Sequence, residues 1–108
     1  MSALIWCPFP DRATATSIAD TLLDQGVIAC ANILGDMHSR YEWNGERGTD
    51  DEVAVLFKTH SDCLETAVAR IESLHPYETP AILGWRCDVA NAAAEAWLGG
   101  IEAKAGAT

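Results

Sequence analysis

The segment from His75 to Pro80 reads HPYETP and places three chemically useful side chains close together. An imidazole, a phenol and a carboxylate lie between two prolines that restrict the backbone, so the segment could bind a ligand or a metal ion. His75 and Tyr77 are also the only candidates for acid and base in an enzyme. The same segment could instead be a stiff turn, with His75 facing the negative end of a preceding helix.

The four cysteines lie in four separate parts of the chain, at Cys7, Cys30, Cys63 and Cys87. No two of them form a C-x-x-C pair, which argues against a zinc knuckle or a thioredoxin-type motif. Cys30 lies in the strand-like run VIACAN, where a cysteine can be a small core residue. It could also be a thiolate ligand for a soft metal ion such as Cu(I), with His75 as an imidazole partner.

An aromatic and cationic group is predicted around the middle of the chain. Tyr41 and Trp43 share one face of an alternating segment, and Lys58 ends the next apolar run. Together with Tyr77 they could form the wall of a ligand pocket, or the aromatic pair could be the core of an interface between chains.

Two strand-like arms carry these residues. The first, from Val27 to Trp43, would span ~55 Å if fully extended, whereas a domain of this size has a radius of gyration near ~13 Å. It must therefore bend at Gly35-Asp36 or project beyond its own core, where another copy of the chain would cover it. Asn44-Gly45 favours a turn between the arms, and we expect the following Gly48 and acidic run to make that connection longer than two residues.

The element order predicted by hydrophobic periodicity is β-α-β-β-α-β with a short helix at the end. Strands are predicted at 3–9 and 81–89, and helices begin after Asp11, after Ser61 or Asp62, and at Asn91. This order predicts one α+β domain over residues 1–108, a ferredoxin-like antiparallel sheet with two helices on one face. The other face is left bare, which favours an oligomer.

Charge and composition exclude several classes of function. The formal net charge of −9 argues against binding to nucleic acid. No apolar run reaches the ~20 residues that span a bilayer, and no basic leader precedes the first strand, so we expect a cytoplasmic protein without a membrane partner. No catalytic motif is present, so we expect a protein that is not an enzyme.

Several short motifs together resemble those of the CutA family of divalent-cation tolerance proteins. They are ACANI at 29–33, S-x-Y-x-W-x-G at 39–45, the strand that ends in Lys58-Thr59, and HPYETP followed by Ala81-Ile82. The resemblance implies a homotrimer of ferredoxin-like subunits, similar in architecture to the PII signal proteins, and a role in tolerance of divalent metals, notably copper. By position, the family's characteristic residues are Cys30, Asn32, Tyr41, Trp43, Lys58, Thr59, His75, Pro76, Tyr77 and Pro80. Ala81 departs from the family, which usually has an acidic residue there.

Two functional hypotheses follow. In the first, the chain is a non-enzymatic, trimeric module that binds divalent or soft metal ions, with Cys30 and His75 as metal ligands. In the second, it is a PII-like regulatory module whose cleft between subunits binds a small anionic metabolite through Tyr41, Trp43, Lys58 and Tyr77, and which signals to a protein partner that the sequence does not identify.

Overall fold

The computed structural model of the chain describes residues 1–101, so the last seven residues of the predicted domain lie outside the described part. Four strands and three helices follow in the predicted order. They are β1 (Ser2–Phe9), α1 (Arg12–Gln25), β2 (Cys30–Trp43), β3 (Glu46–His60), α2 (Ser61–Leu74), β4 (Leu83–Arg86) and α3 (Ala92–Gly99).

The strands form one antiparallel sheet in the order β2-β3-β1-β4. Residues of β1 and β3 such as Ile5, Phe9 and Phe57 are fully buried and pack with the apolar sides of α1 and α2. The buried core therefore lies between the sheet and these two helices. The predicted α+β, ferredoxin-like fold is confirmed.

Side-chain caps begin the helices. Asp11 accepts a hydrogen bond from the backbone N–H of Thr14 at 2.7 Å and begins α1, and Gly26 ends that helix with a φ of 71°. The cap of α2 is His60, whose Nδ1 accepts from the N–H of Asp62 at 3.3 Å. The prediction of Ser61 or Asp62 was therefore wrong, because an imidazole nitrogen can accept the same bond as a hydroxyl or carboxylate.

The connection between β2 and β3 is a tight turn of Asn44 and Gly45, and both residues have positive φ, 53° and 80°. Positive φ at both positions is the geometry of the two-residue hairpin turn that Asn-Gly favours. The expectation of a longer connection was wrong. Gly48 and the acidic run belong to β3 itself, where they pair with β2 from Glu46 onward.

The β2–β3 hairpin is longer than the rest of the sheet. The last pair between β1 and β3 is Phe9 with Val53, whereas β2 and β3 remain paired for seven further positions, from Met37–Glu52 to Trp43–Glu46. The register shifts between Ile33 and Gly35, and Gly35 has a φ of 106°. The arm therefore both bends near Gly35 and projects beyond the core.

Strand β4 covers only Leu83–Arg86, not the predicted 81–89. Its partner β1 limits it at both ends. The pairing ends at Trp6 with Leu83. The next residue of β1 that faces β4 is Pro8, which has no N–H to donate to a further hydrogen bond. At the other end, β1 begins at Ser2, whose carbonyl accepts from the N–H of Cys87 at 2.9 Å.

The sheet face away from the helices is open. Leu83 and Trp85 of β4 lie on it beside Trp6 and Leu4 of β1, because directly paired residues share a face. Leu83 and Trp85 are 60% and 45% exposed, which is high for large apolar side chains. The bare face expected from the sequence is therefore present in a single chain.

Candidate functional site

His75 ends α2 and is held from several sides. Its Nε2 lies 2.8 Å from the carbonyl oxygen of Pro8, and its Nδ1 accepts from the N–H of Tyr77 at 3.2 Å. Since a carbonyl only accepts, Nε2 carries the proton and the imidazole is neutral. The ring stacks on Phe9 with centroids 4.7 Å apart, and only 7% of the residue is exposed.

Tyr77 connects this buried histidine to the hairpin. Its ring lies against that of His75, with centroids 4.6 Å apart, and its hydroxyl donates to Oε2 of Glu52 at 2.8 Å. Burial first, and then the hydrogen bond to the Glu52 carboxylate, raise the pKa of Tyr77 well above its usual range. The phenol therefore stays protonated and keeps the Glu52 side chain in place.

Tyr77 and Glu52 border a groove of about 530 Å³ beside the projecting part of the hairpin. We call it the aromatic groove because three aromatic residues, Tyr41, Trp43 and Tyr77, line it. The described residues that line it include four with carboxylates and none that is lysine, arginine or histidine. Those four are Glu42, Asp50, Glu52 and Glu78.

Lys58, which was predicted to share a site with these aromatic residues, lies elsewhere. It pairs with Cys30 at the opposite end of the hairpin, eight residues along β3 from Asp50. At ~3.3 Å per residue this places the two backbone positions ~26 Å apart. The structure thus brings together Tyr41, Trp43 and Tyr77 but not Lys58 within one chain.

Cys30 and His75 are also separate within one chain. Cys30 pairs with Lys58, whereas His75 bonds to Pro8, which pairs with Ala54 on the other side of β3. Lys58 and Ala54 are four residues apart along β3, so the two backbone positions are separated by ~13 Å along the strand. The Sγ of Cys30 lies 3.7 Å from Oδ1 of Asn32. The proposed Cys30–His75 metal pair stays a prediction, and it would require ligands from two chains.

A second cavity, of about 610 Å³, lies on the other side of the hairpin, against the loop between β1 and α1. We call it the acidic cleft. The Nδ1 of His38 lies 3.0 Å from Oδ1 of Asp51, directly across the two strands, and Asp36 is on the same face of β2. The cleft is also lined by Asp11, Arg12 and Glu52.

The chemistry of the acidic cleft suits a metal ion. With the Nδ1 proton donated to Asp51, the Nε2 lone pair of His38 is available to a ligand, as in histidines that a carboxylate orients toward a metal. Among residues 1–101, however, no three histidine, cysteine, aspartate or glutamate side chains are already gathered around one point. A complete ligand set would need side-chain movement or a second chain.

Cys7 is poorly placed for metal binding, because its side chain is buried. Burial, and then the charge of Glu52, raise the pKa of Cys7 to about 12, so its thiol stays protonated at neutral pH. Its Sγ lies 3.5 Å from the carbonyl oxygen of Pro8. Cys7, Cys30 and Cys87 are free thiols.

Comparison with known proteins identifies the family. Residues 3–100 match the family model described as CutA1 divalent ion tolerance protein. The chain belongs to this family. The divalent-cation tolerance protein CutA of Pyrococcus horikoshii is 38% identical over 95 residues, which cover 88% of this chain and 92% of that protein. The CutA protein of Yersinia pestis strain Pestoides F is 34% identical over 80 residues, 74% of this chain and 67% of that protein.

Solved CutA structures have the same fold. The CutA1 structure from Ehrlichia chaffeensis has a TM-score of 0.85 at 34% identity and covers 91% of this chain and 92% of that one. A structure described as the periplasmic divalent cation tolerance protein CutA from Archaeoglobus fulgidus also has a TM-score of 0.85, at 26% identity, with 92% and 96% covered. The resemblance found in the sequence motifs is therefore confirmed.

Membership of the CutA1 family connects the chain with tolerance of divalent cations and with no named enzyme activity. Of the helices in the described part of the chain, none is long and apolar enough to cross a bilayer. Because one solved relative is described as periplasmic, the cytoplasmic location stays a prediction.

The carboxylates and the histidine of the hairpin were not among the site residues predicted from the sequence. His38 and Asp36 alternate with the aromatic residues in β2, and Asp50, Asp51 and Glu52 are consecutive in β3. Because successive side chains of a strand point to opposite faces, Asp51 lies on one face and Asp50 and Glu52 lie on the other. That signal was available once the acidic run was placed in a strand instead of in the turn.

Proposed function

We propose that this chain acts in divalent-cation tolerance as a non-enzymatic homotrimer that binds copper or zinc ions in the acidic cleft. The single observation that carries the proposal is the His38–Asp51 pair, in which Nδ1 of His38 lies 3.0 Å from Oδ1 of Asp51. An imidazole with carboxylates suits Cu(II) and Zn(II), and affinity generally rises from zinc to copper.

Charge supports a cation in preference to an anion. The formal net charge is −9, and the aromatic groove has a carboxylate lining without a basic residue among the described residues. An anionic metabolite would meet repulsion there. The PII-like alternative, with an anion held between subunits, would need Lys58 from a neighbouring chain and has no specific observation in its favour.

The trimer is supported by surfaces that one chain leaves uncovered. The open sheet face carries Leu83 and Trp85, and the hairpin extends seven residue pairs past β1. A second copy that covers these surfaces also supplies the further ligands that a single chain lacks around His38. No enzyme step is needed for this role, which is consistent with the family's description as tolerance proteins.

Isothermal titration with ZnCl₂ and CuCl₂ tests the site. We expect His38→Gln and Asp51→Asn to weaken binding of both ions at least tenfold, as loss of a ligand or of its orienting carboxylate does in other sites. Asp20→Asn, which removes the same charge from the exposed side of α1, is the matched control and should bind as the wild type does. Equal affinities of all four proteins for zinc and copper would reject the acidic cleft as the metal site.

Cys30 provides the alternative site for a soft ion. Titration of Cys30→Ser with Cu(I) under reducing conditions distinguishes it from the cleft, because thiolates select Cu(I) and imidazole–carboxylate sets do not. Loss of Cu(I) binding in that variant, with Zn(II) binding retained, would assign the two ions to two separate sites.

A further inference from the structure

Lys58 lies on the open sheet face among apolar residues. It pairs with Leu4 of β1, and Leu4 pairs in turn with Trp85 of β4, so the three side chains share that face. The next row of β3, β1 and β4 residues on the same face is entirely apolar and consists of Leu56, Trp6 and Leu83. A positive charge is thus set into an apolar surface.

The Lys58 ammonium has no counterion within one chain. Among residues 1–101, no carboxylate lies within ion-pair distance of it, and its neighbour across the strands is Cys30. The residue is half-buried in a single chain, so water still reaches the charge. In the trimer proposed above a second copy covers this face, and an unpaired ammonium there would be strongly unfavourable. The inference below rests on that trimer, whose neighbouring copy must supply a negative group.

The projecting part of the hairpin carries carboxylates on the same face as Lys58. The register shift lies in β2, so the side chains of β3 alternate without a break and Asp50 points to the side of Lys58. Glu46 and Glu52 are on this side too. Eight residues of strand, ~26 Å, separate Asp50 from Lys58, which excludes an ion pair between them in one chain. One chain therefore presents a positive and a negative position on one surface, too far apart to neutralise each other.

Asp50 is the carboxylate that is best prepared to pair. The hydroxyl of Tyr41 donates to its Oδ2 at 2.7 Å, and this hydrogen bond raises the pKa of Tyr41, so the phenol stays protonated and orients an ionised carboxylate. An ionised carboxylate has about four acceptor positions, so Asp50 can accept further bonds. Glu52 is held by Tyr77 at the base of the hairpin. Glu46 adjoins the turn, and no side chain in the described part of the chain orients it.

We propose that Lys58 of one copy forms an ion pair with Asp50 of the next copy around the trimer. The projecting hairpin of one chain then lies across the open sheet face of its neighbour. Such a contact joins two different patches, and three copies that repeat it close a ring. It also places the neighbour's Lys58 beside Tyr41, so these two residues, predicted together from the sequence, meet between two chains. A lysine paired in this way is not available to an anionic ligand.

Sedimentation velocity of the full chain at micromolar concentration tests the pair by reversing its charges. Lys58→Glu brings a second carboxylate to Asp50 at each contact, and Asp50→Lys brings a second ammonium to Lys58. Because like charges oppose each other across an interface, we expect each single variant to lower the fraction of trimer at least tenfold. The double variant Lys58→Glu/Asp50→Lys restores opposite charges at every contact, and we expect the trimer to return.

Two controls separate this pair from a general effect of charge. Arg86→Glu makes the same change of charge on the other side of the sheet, since Arg86 pairs with the core residue Ala3, and it should sediment as the wild type does. Lys58→Glu/Glu46→Lys has the same net charge as the charge-swapped variant but the wrong carboxylate replaced, and it should not regain the trimer. Far-UV circular dichroism checks that each variant is folded.

Three results would overturn the inference. A wild-type trimer that Lys58→Glu and Asp50→Lys leave intact would reject the ion pair and keep the trimer. A trimer regained with Glu46→Lys but not with Asp50→Lys would assign Lys58 to another carboxylate. A wild-type monomer would reject the pair and the proposed trimer together. If Lys58→Glu alone does not fold, Asp50→Lys and the charge-swapped variant still decide, because recovery of a folded trimer in the latter requires the two positions to meet.

Discussion

The hydroxyl of Tyr77 donates a 2.8 Å hydrogen bond to Oε2 of Glu52, and this contact joins the loop after α2 to the point where the hairpin leaves the sheet. Glu52 immediately precedes Val53, the last residue of β3 that pairs with β1. The bond therefore fixes the base of the projecting hairpin, between the aromatic groove and the acidic cleft.

Replacing Tyr77 by phenylalanine should lower the free energy of unfolding by about 1 kcal/mol at pH 8, because the bond to the Glu52 carboxylate is lost while the ring packing is kept. Urea denaturation measures this difference. No change in the midpoint would show that the contact does not contribute to stability.

The same pair predicts how stability depends on alkaline pH. The pKa of Tyr77 is raised in the folded chain, so its contribution is complete below the unfolded value of about 10 and is lost as pH rises through the higher folded value. The wild type should therefore lose more stability than Tyr77→Phe between pH 9 and pH 11, two values about one unit either side of the tyrosine pKa. Tyr41, the other tyrosine of the chain, and Cys7 titrate in both proteins, so the difference between the two curves isolates Tyr77. Parallel curves would contradict the prediction.

His75→Phe should destabilise the fold by about 2–4 kcal/mol, since the carbonyl of Pro8 and the N–H of Tyr77 would both lose their partner in a buried position. The phenyl ring can still stack on Phe9. The exposed His38→Gln is the control and should stay within about 0.5 kcal/mol of the wild type. If His75→Phe keeps its stability and instead loses zinc affinity, the predicted Cys30–His75 site gains support over the acidic cleft.

Leu83→Asp should dissociate the proposed trimer without unfolding the chain. Leu83 is already 60% exposed in a single chain, so the cost of a carboxylate appears only when a second copy covers the open sheet face. Val89→Asp is the matched control, because Val89 is 89% exposed and lies outside the sheet. Sedimentation velocity distinguishes the two variants. A wild-type monomer at micromolar concentration would reject the trimer.

The sequence predicted the fold well because each element has a local physical signal. Asp11 and Gly26 bound α1 as expected from capping chemistry, and the alternation from Met37 to Trp43 produced the expected strand. The errors fall where tertiary contacts decide. Strand β4 ends where β1 can no longer pair, and the cap of α2 is a histidine instead of a serine or aspartate.

The candidate sites were less predictable, because they depend on which strands are neighbours. The cluster of Tyr41, Trp43 and Tyr77 was anticipated, but Lys58 was assigned to it without knowledge of the register. The pairing of His38 with Asp51 follows directly from the two-residue turn at Asn44-Gly45. A longer turn would shift the cross-strand partner of every hairpin residue. With that assumption, the pairing of His38 with Asp51 in the acidic cleft could not be predicted.

Native mass spectrometry of the full chain with added zinc tests the central claim of a metal-binding trimer most directly. We predict a trimer that takes up three zinc ions, one for each acidic cleft, and a His38→Gln trimer that takes up none at the same concentration. A trimer that binds no zinc or copper, or a His38→Gln protein that retains all three ions, would contradict the account.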